Sequence, residues 1–261
     1  MSSDPLRRHR DEVAAVLPTG DPAAIKRIYR HLGEDLEAEF GDDPARTPQL
    51  SYDETAAVVA GQLHGVPGLV LDAGCGPRPA TAILLGRDGS RVVVALDIGE
   101  GIVRLALATA ALSGVRLRGV VADVERLPFR DGVFAGAVCD DTIEHLPDDA
   151  AGIRELARVV APGARVVVAT PNRRSLEVLA SRLADTVRRR RRPQSHYYAA
   201  SSHLREYTWS ELERLVAPAF AVAGRATVER AGSPVRRLAG RLTRRPPLRR
   251  LSRMIVLVLR R

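Results

Sequence analysis

Five short apolar runs, four of them closing on an aspartate, constrain this chain more than any other feature. They are Gly68–Asp72 (GLVLD), Arg91–Asp97 (RVVVALD), residues 115–123 (VRLRGVVAD), Phe134–Asp140 (FAGAVCD) and Ala164–Thr170 (ARVVVAT). Runs with so little polar alternation suit strands covered on both faces. Helical spacing fills the intervals, at about 79–87, 100–113 and 149–160, with a short segment at 125–127 ahead of Pro128. Strands alternating with helices predict a parallel sheet between two helical layers. In such sheets ligands sit at the carboxyl ends of the strands, which is where these aspartates fall.

The flanks extend the pattern. Residues 22–40 place Ile25, Ile28, Leu32 and Leu36 at helical spacing, with Asp21 as N-cap and Pro22 at the first helical position. A second helix is expected from about Tyr52 to Leu63, and another over 175–192. Thr208-Trp-Ser-Glu211 spells a capping box. Phe220–Val228 reads as a sixth strand and Met254–Leu259 as a closing one. The expectation is an α/β fold: a Rossmann-like, doubly wound, mostly parallel sheet of about seven strands in three α/β/α layers, with N-terminal helices. Its parts are a helical cap over 1–65, the core over 66–229, and a basic segment with a closing strand over 230–261.

Composition excludes several classes. Two cysteines, Cys75 and Cys139, rule out a disulfide framework and a Cys-rich zinc site. No stretch reaches the roughly 20 apolar residues of a membrane span, and the first residues lack the apolar region of a secretory signal. The expected location is cytoplasmic, with peripheral contact at a membrane surface as an option raised by charge. Residues 182–261 hold 20 arginines against five acidic residues, whereas residues 1–181 hold 20 cations against 26 acidic residues. Arg188–Arg192 and the C-terminal arginines are candidate contacts for anionic lipid or phosphate; solvated helix ends and an arginine-rich composition are the plainer explanation.

The chemistry gathers at the strand ends. Asp72-Ala-Gly-Cys-Gly76 closes the first strand with glycines that permit a tight turn against a ligand. The dinucleotide pattern G-x-G-x-x-G fails at Pro79. Asp97 could accept from a ribose diol and Asp123 from an exocyclic amine; both could equally cap helices.

LVLDAGCG, VVVALDIGEG, VVADVERLPFRDGVF, AVCDDTIEHLPD and ELARVVAPGARVVVATPN, in this order, resemble class I S-adenosylmethionine-dependent methyltransferases, most of all the ubiquinone- and menaquinone-biosynthesis subgroup. The likeness covers about residues 66–172 and extends through HLREYTWSELERLV to about 216. It implies S-adenosyl-L-methionine as cofactor. Asp72, Gly74 and Gly76 would form the turn under its methionine part, Asp97 would hold the ribose and Ile98 would pack on adenine. Asp123 would bind the adenine amine with Val124 beside it, and Asp140 would lie near the methionine amino group. Two positions depart from the pattern. Arg78 replaces the usual third glycine, and Ala135 replaces the usual aspartate.

A base is needed only where the acceptor must lose a proton. His145, His196 and His203 are the candidates, although a packing role suits His145 better. Tyr29 and Tyr52 could serve a lid, with ordinary helix packing preferred. No metal is expected, since the histidines and carboxylates lack ligand spacing. The resulting expectation is methyl transfer to oxygen or carbon of a small-molecule acceptor such as a quinone precursor, a glycan or a specialised metabolite. Two alternatives are an RNA methyltransferase using the basic C-terminal third, although no RNA-binding module is recognisable, and a non-catalytic binding protein on the same fold.

Overall fold

The computed structural model describes residues 4–47, 53–176, 178–179, 203–228 and 248–261. Tyr52, His196 and Arg188–Arg192 lie outside the described residues, as does most of the helix expected over 175–192.

All seven expected strands form, in one sheet: β1 (Gly68–Ala73), β2 (Arg91–Asp97), β3 (Arg118–Val121), β4 (Phe134–Asp140), β5 (Val160–Pro171), β6 (Ala221–Ala226) and β7 (Met254–Arg260). Their order is β3-β2-β1-β4-β5-β7-β6. The first five run parallel, and β7 is antiparallel to both neighbours. β7 inserts between β5 and β6, which explains its unbroken apolar spelling. Residues 254–259 are buried throughout, as a strand paired on both edges and covered on both faces must be. The last residues of the chain are therefore an interior strand of the sheet, although they follow the basic stretch in sequence.

The helices are α1 (Pro5–Val16), α2 (Pro22–Phe40), α3 (Asp53–Gln62), α4 (Ala80–Gly86), α5 (Glu100–Leu112), α6 (Asp149–Val159) and α7 (Trp209–Val216). The predicted caps are present. Asp21 accepts from the Ala23 N–H at 2.9 Å with Pro22 opening α2, and Thr208 and Glu211 form the capping box of α7. One face of the sheet packs Leu71, Leu96 and Val168 against Ile153, Leu156 and Leu212 of α6 and α7. The other packs Val70, Val138 and Val167 against Val59 of α3, Leu63 and Leu85 of α4. Thus α3 is part of the core layer, and the cap proper is α1 and α2.

The short helix expected at 125–127 is a turn instead, closed by an Asp123–Arg126 bridge. Pro128 blocks its extension. Arg158 on α6 holds this turn from below, donating to the carbonyls of Leu127 at 2.9 Å and Phe129 at 2.7 Å.

The cap reaches the core through a helix crossing that needs glycine on both sides. A Cβ on Gly101 of α5 would lie 2.1 Å from the Gly33 carbonyl oxygen of α2. Any side chain there would push α2 off the carboxyl edge of the sheet, where the chemistry lies.

Candidate active site

At the carboxyl ends of β1, β2 and β4, under α1 and α2, lies a cavity of about 690 Å³. That is within the range for small-molecule and cofactor sites. Asp72, Gly74, Gly76, Asp97, Ile98, Asp123, Val124 and Asp140 all line it, as do His145 and His203. Every described residue that the sequence offered for cofactor binding or as a base thus lies on one cavity.

The first turn is built on two left-handed glycines, Gly74 at φ 81° and Gly76 at φ 64°. Gly74 lies against Thr142, whose hydroxyl donates to the Gly74 carbonyl at 3.2 Å and to the Asp140 carbonyl at 3.0 Å. The turn after β1 is thereby tied to the end of β4. Asp97 accepts from the Gly76 N–H at 3.1 Å and the Gly99 N–H at 3.3 Å. Those two amides orient its carboxylate between the turn and the start of α5.

Arg78, the departure from the glycine pattern, is exposed at the cavity rim. Its guanidinium donates to the Thr47 carbonyl at 3.4 Å. The cation therefore braces the first turn against the segment that follows α2, and Asp72 and Asp140 keep no arginine partner from this turn.

Electrostatically the cavity floor is poised for a cation. Burial, with Asp140 and Asp97 close by, pushes Asp72 up to about 8. Burial pushes Asp140 up to about 7, against a hydrogen bond from the Thr81 hydroxyl at 2.8 Å to Oδ2. Its Oδ1 is buried with no hydrogen-bond partner. Burial raises Asp97 as well, opposed by its backbone N–H donors. Two buried carboxylates and the half-buried Asp97, with an unmatched oxygen on Asp140, suit a ligand that brings positive charge and N–H donors. The wall beside them is apolar at Ile98, Ile102 and Val124, as a flat heterocycle requires.

The cap contributes pairings that the sequence did not mark. Lys26, the only lysine of the chain, bridges Asp123 at 2.7 Å and also binds Glu125. Tyr29, read from sequence as helix packing, shares a 2.6 Å hydrogen bond between its hydroxyl and His145 Nδ1. Its ring meets His9 edge-on at 4.6 Å. Burial forces His9 down to about 4, with Arg10 adding to the shift, so His9 is neutral in the fold. Burial raises Tyr29 far above its ordinary value.

Beyond Asp140 the cavity meets a second set of polar groups. Glu144 is fully buried, and His203 Nε2 lies 3.8 Å from its Oε1. Glu206 lies 3.7 Å from His203 Nδ1, and the His145 and His203 rings meet at 4.8 Å. Glu144 and Glu206 carried no sequence signal of their own, since neither ends a strand or sits in a glycine turn. Among the described residues, no helix is long and apolar enough to cross a membrane.

Residues 71–168 match the family described as a methyltransferase domain. A ubiquinone biosynthesis O-methyltransferase from Xanthomonas axonopodis pv. citri is 33% identical over 119 residues, covering 44% of this chain and 48% of that protein. A demethylmenaquinone methyltransferase from Mycolicibacterium vanbaalenii is 38% identical over 99 residues, covering 38% and 40%. The chain spans about half the length of the curated relatives it matches. The structure of magnesium protoporphyrin IX methyltransferase from Synechocystis PCC 6803 with bound SAH aligns at a TM-score of 0.62 and 16% identity. That alignment covers 92% of this chain and all of that one, a likeness of fold.

Proposed function

We propose that this chain, which carries a methyltransferase domain over residues 71–168, transfers a methyl group from S-adenosyl-L-methionine to oxygen or carbon of a small molecule. The observation that carries the reading is the convergence of Asp72, Asp97, Asp123 and Asp140 on one cavity, with a buried, unpartnered Oδ1 on Asp140. Those residues fit the cofactor's charge. The cofactor supplies a methyl group activated by a sulfonium, which departs to leave a neutral thioether.

The protein's own contribution is placement and exclusion of water. Asp140 and Asp72 hold an ammonium beside the Gly74–Gly76 turn, whose own N–H groups are taken by the Leu96 carbonyl and by Asp97. Asp97 accepts from two ribose hydroxyls. Ile98 and Val124 enclose the purine, and Asp123, paired with Lys26, accepts from its amine. The α1–α2 cap closes the cavity from above. An acceptor enters on the side of His145 and His203, where a hydroxyl proton passes to the cluster of Glu144, His145, His203 and Glu206. The relatives' names favour a phenol, a quinol or a related enol as the acceptor class.

A peripheral anion contact is a further part of the proposal. Arg174, Arg249 and Arg250 line a shallow groove beside Trp209, away from the cavity, where they could meet a phosphate. Co-sedimentation with anionic against neutral vesicles tests it. The methyl-transfer reading is tested by incubating the protein with methyl-labelled cofactor and a panel of catechols, hydroquinones and enolised diketones. Labelled product that disappears in Asp97→Ala supports it. A panel with no labelled product, from protein that binds the cofactor, favours a binding role on this fold.

A further inference from the structure

The Glu144–His203 cluster has a geometry that proton transfer alone does not explain. Glu144 sits on the single helical turn Ile143–His145 after β4 and is completely buried. Its Oε2 accepts from the Thr170 hydroxyl at 2.9 Å, while Oε1 is buried with no hydrogen-bond partner. His203 Nε2 is the nearest cationic candidate, but 3.8 Å is too long for a hydrogen bond. His203 is brought there by backbone. The N–H groups of Leu204 and Arg205 donate to the Glu144 carbonyl at 3.0 and 3.3 Å. Arg205 is itself anchored on Asp149 at 2.8 Å and on the Pro147 carbonyl at 2.9 Å.

Ligand atoms of Glu144, His145 and His203 all lie within 4.8 Å of one another. The Tyr29 hydroxyl on His145 Nδ1 fixes that ring, as an outer-shell hydrogen bond fixes a metal-bound imidazole. The surroundings are rich in negative charge. Asp141 Oδ1 and Glu206 Oε2 are also buried without hydrogen-bond partners, and Asp141 is held in the left-handed region at φ 50°. Arg253 lies close enough to Asp141 to temper its charge. These carboxylates flank the cluster but leave its three potential ligands in place.

We infer that Glu144, His145 and His203 bind one divalent transition-metal ion, of the Zn²⁺ type, at the acceptor end of the cavity. One carboxylate and two imidazoles are a common zinc set with a position left open. Metal–ligand bonds of about 2.0–2.2 Å bring ligand atoms roughly 3–4 Å apart, so the three side chains draw in by about an ångström on binding.

The ion's role rests on the methyl-transfer reading; its binding does not. The open position takes the acceptor's hydroxyl oxygen and makes its proton easier to lose. That proton passes to Glu206. The oxygen's electron pair forms the new bond to the methyl carbon, and the pair of the broken carbon–sulfur bond stays on sulfur.

The test uses the full chain, stripped with a chelator, without cofactor or acceptor. Zn²⁺ is titrated by calorimetry, and Co²⁺ by its visible absorption. One ion per chain is expected, with a tetrahedral or five-coordinate Co²⁺ spectrum. His203→Ala should weaken binding at least about tenfold, and Glu144→Gln likewise, while His64→Ala on the surface changes nothing. Should Glu144→Gln fail to fold, His203→Ala carries the test alone, its fold verified by circular dichroism and by unchanged S-adenosylhomocysteine affinity. Absence of binding at 100-fold excess of ion over protein (about 1 mM ion, where even weak sites fill) overturns the inference. So does binding that His203→Ala leaves unchanged. Metal binding without S-adenosylhomocysteine binding would sink the methyltransferase reading and leave the site standing; the converse would remove the site alone.

Discussion

Gly74→Ala separates a turn built for a ligand from one that is merely tight. A Cβ at Gly74 would lie 2.3 Å from both Thr142 Cγ2 and Oγ1, and 2.9 Å from Thr142 Cβ, at φ 81°. A left-handed alanine costs about 1–2 kcal/mol, and an overpacked contact about 1–3 kcal/mol more. The sum is roughly 2–5 kcal/mol. Gly76 has nearly the same backbone at φ 64° but nothing within 4 Å of its Cβ position, so Gly76→Ala should cost only the first part. In thermal melts this means a fall of roughly 5–15 °C for Gly74→Ala against roughly 2–6 °C for Gly76→Ala. Calorimetry with S-adenosylhomocysteine should show at least about tenfold weaker binding for Gly74→Ala, because moving Thr142 moves the end of β4 and Asp140 with it. Removing the obstruction in Gly74→Ala/Thr142→Gly should recover part of both losses. Equal melting temperatures and affinities for the two single variants would refute the reasoning, since only the contact with Thr142 distinguishes them.

Four further outcomes follow from charge and packing. Asp72, raised to about 8 by burial, is protonated in the free protein at neutral pH, and a cationic cofactor favours its ionised form. Cofactor affinity should therefore rise with pH up to about 8 with release of a proton, measurable in buffers of different ionisation heat, and Asp72→Asn should flatten the slope. The same raised value means that the free protein loses stability as pH climbs from about 4 to about 8, because the unfolded carboxyl ionises while the folded one does not. His9 acts in the opposite direction. Held down to about 4 in the fold, it stabilises the protein above its ordinary value near 6.5 and loses that contribution as pH falls toward 4. The difference in urea stability between wild type and His9→Phe should change by about 3 kcal/mol across that window. Gly101→Ala, with its Cβ aimed at the Gly33 carbonyl oxygen, should leave the sheet intact but lift α2. Limited proteolysis should then cut near residues 41–47, where wild type resists.

The sheet was legible because its signal is local. Each strand is a contiguous apolar run, and each aspartate closing a run lands at the carboxyl edge because parallel strands share one polarity. The capping residues Asp21 and Thr208 were readable for the same reason. Tertiary pairings carry no such mark. Lys26 meets Glu125 across 99 residues, and Tyr29 meets His145 across 116; neither spacing has a period. Arg78 could not be aimed from sequence, because its acceptor is the backbone of Thr47. The expectation that no metal would bind came from the lack of a ligand motif along the chain. Glu144 and His145 are neighbours, but His203 joins them only through the backbone hydrogen bonds of the 203–206 segment, which no spacing rule reports.

The central claim is that this cavity binds S-adenosyl-L-methionine through the strand-end aspartates. Calorimetric titration of S-adenosylhomocysteine into wild type and Asp97→Ala tests it most directly. Asp97 would carry charge-assisted hydrogen bonds to two hydroxyls, worth about 1.5–3 kcal/mol each. The account predicts one site per chain on the wild-type protein and at least about tenfold weaker binding in the variant, with the variant still folded by circular dichroism. Absence of binding by wild type, or equal affinity in the two proteins, would contradict it.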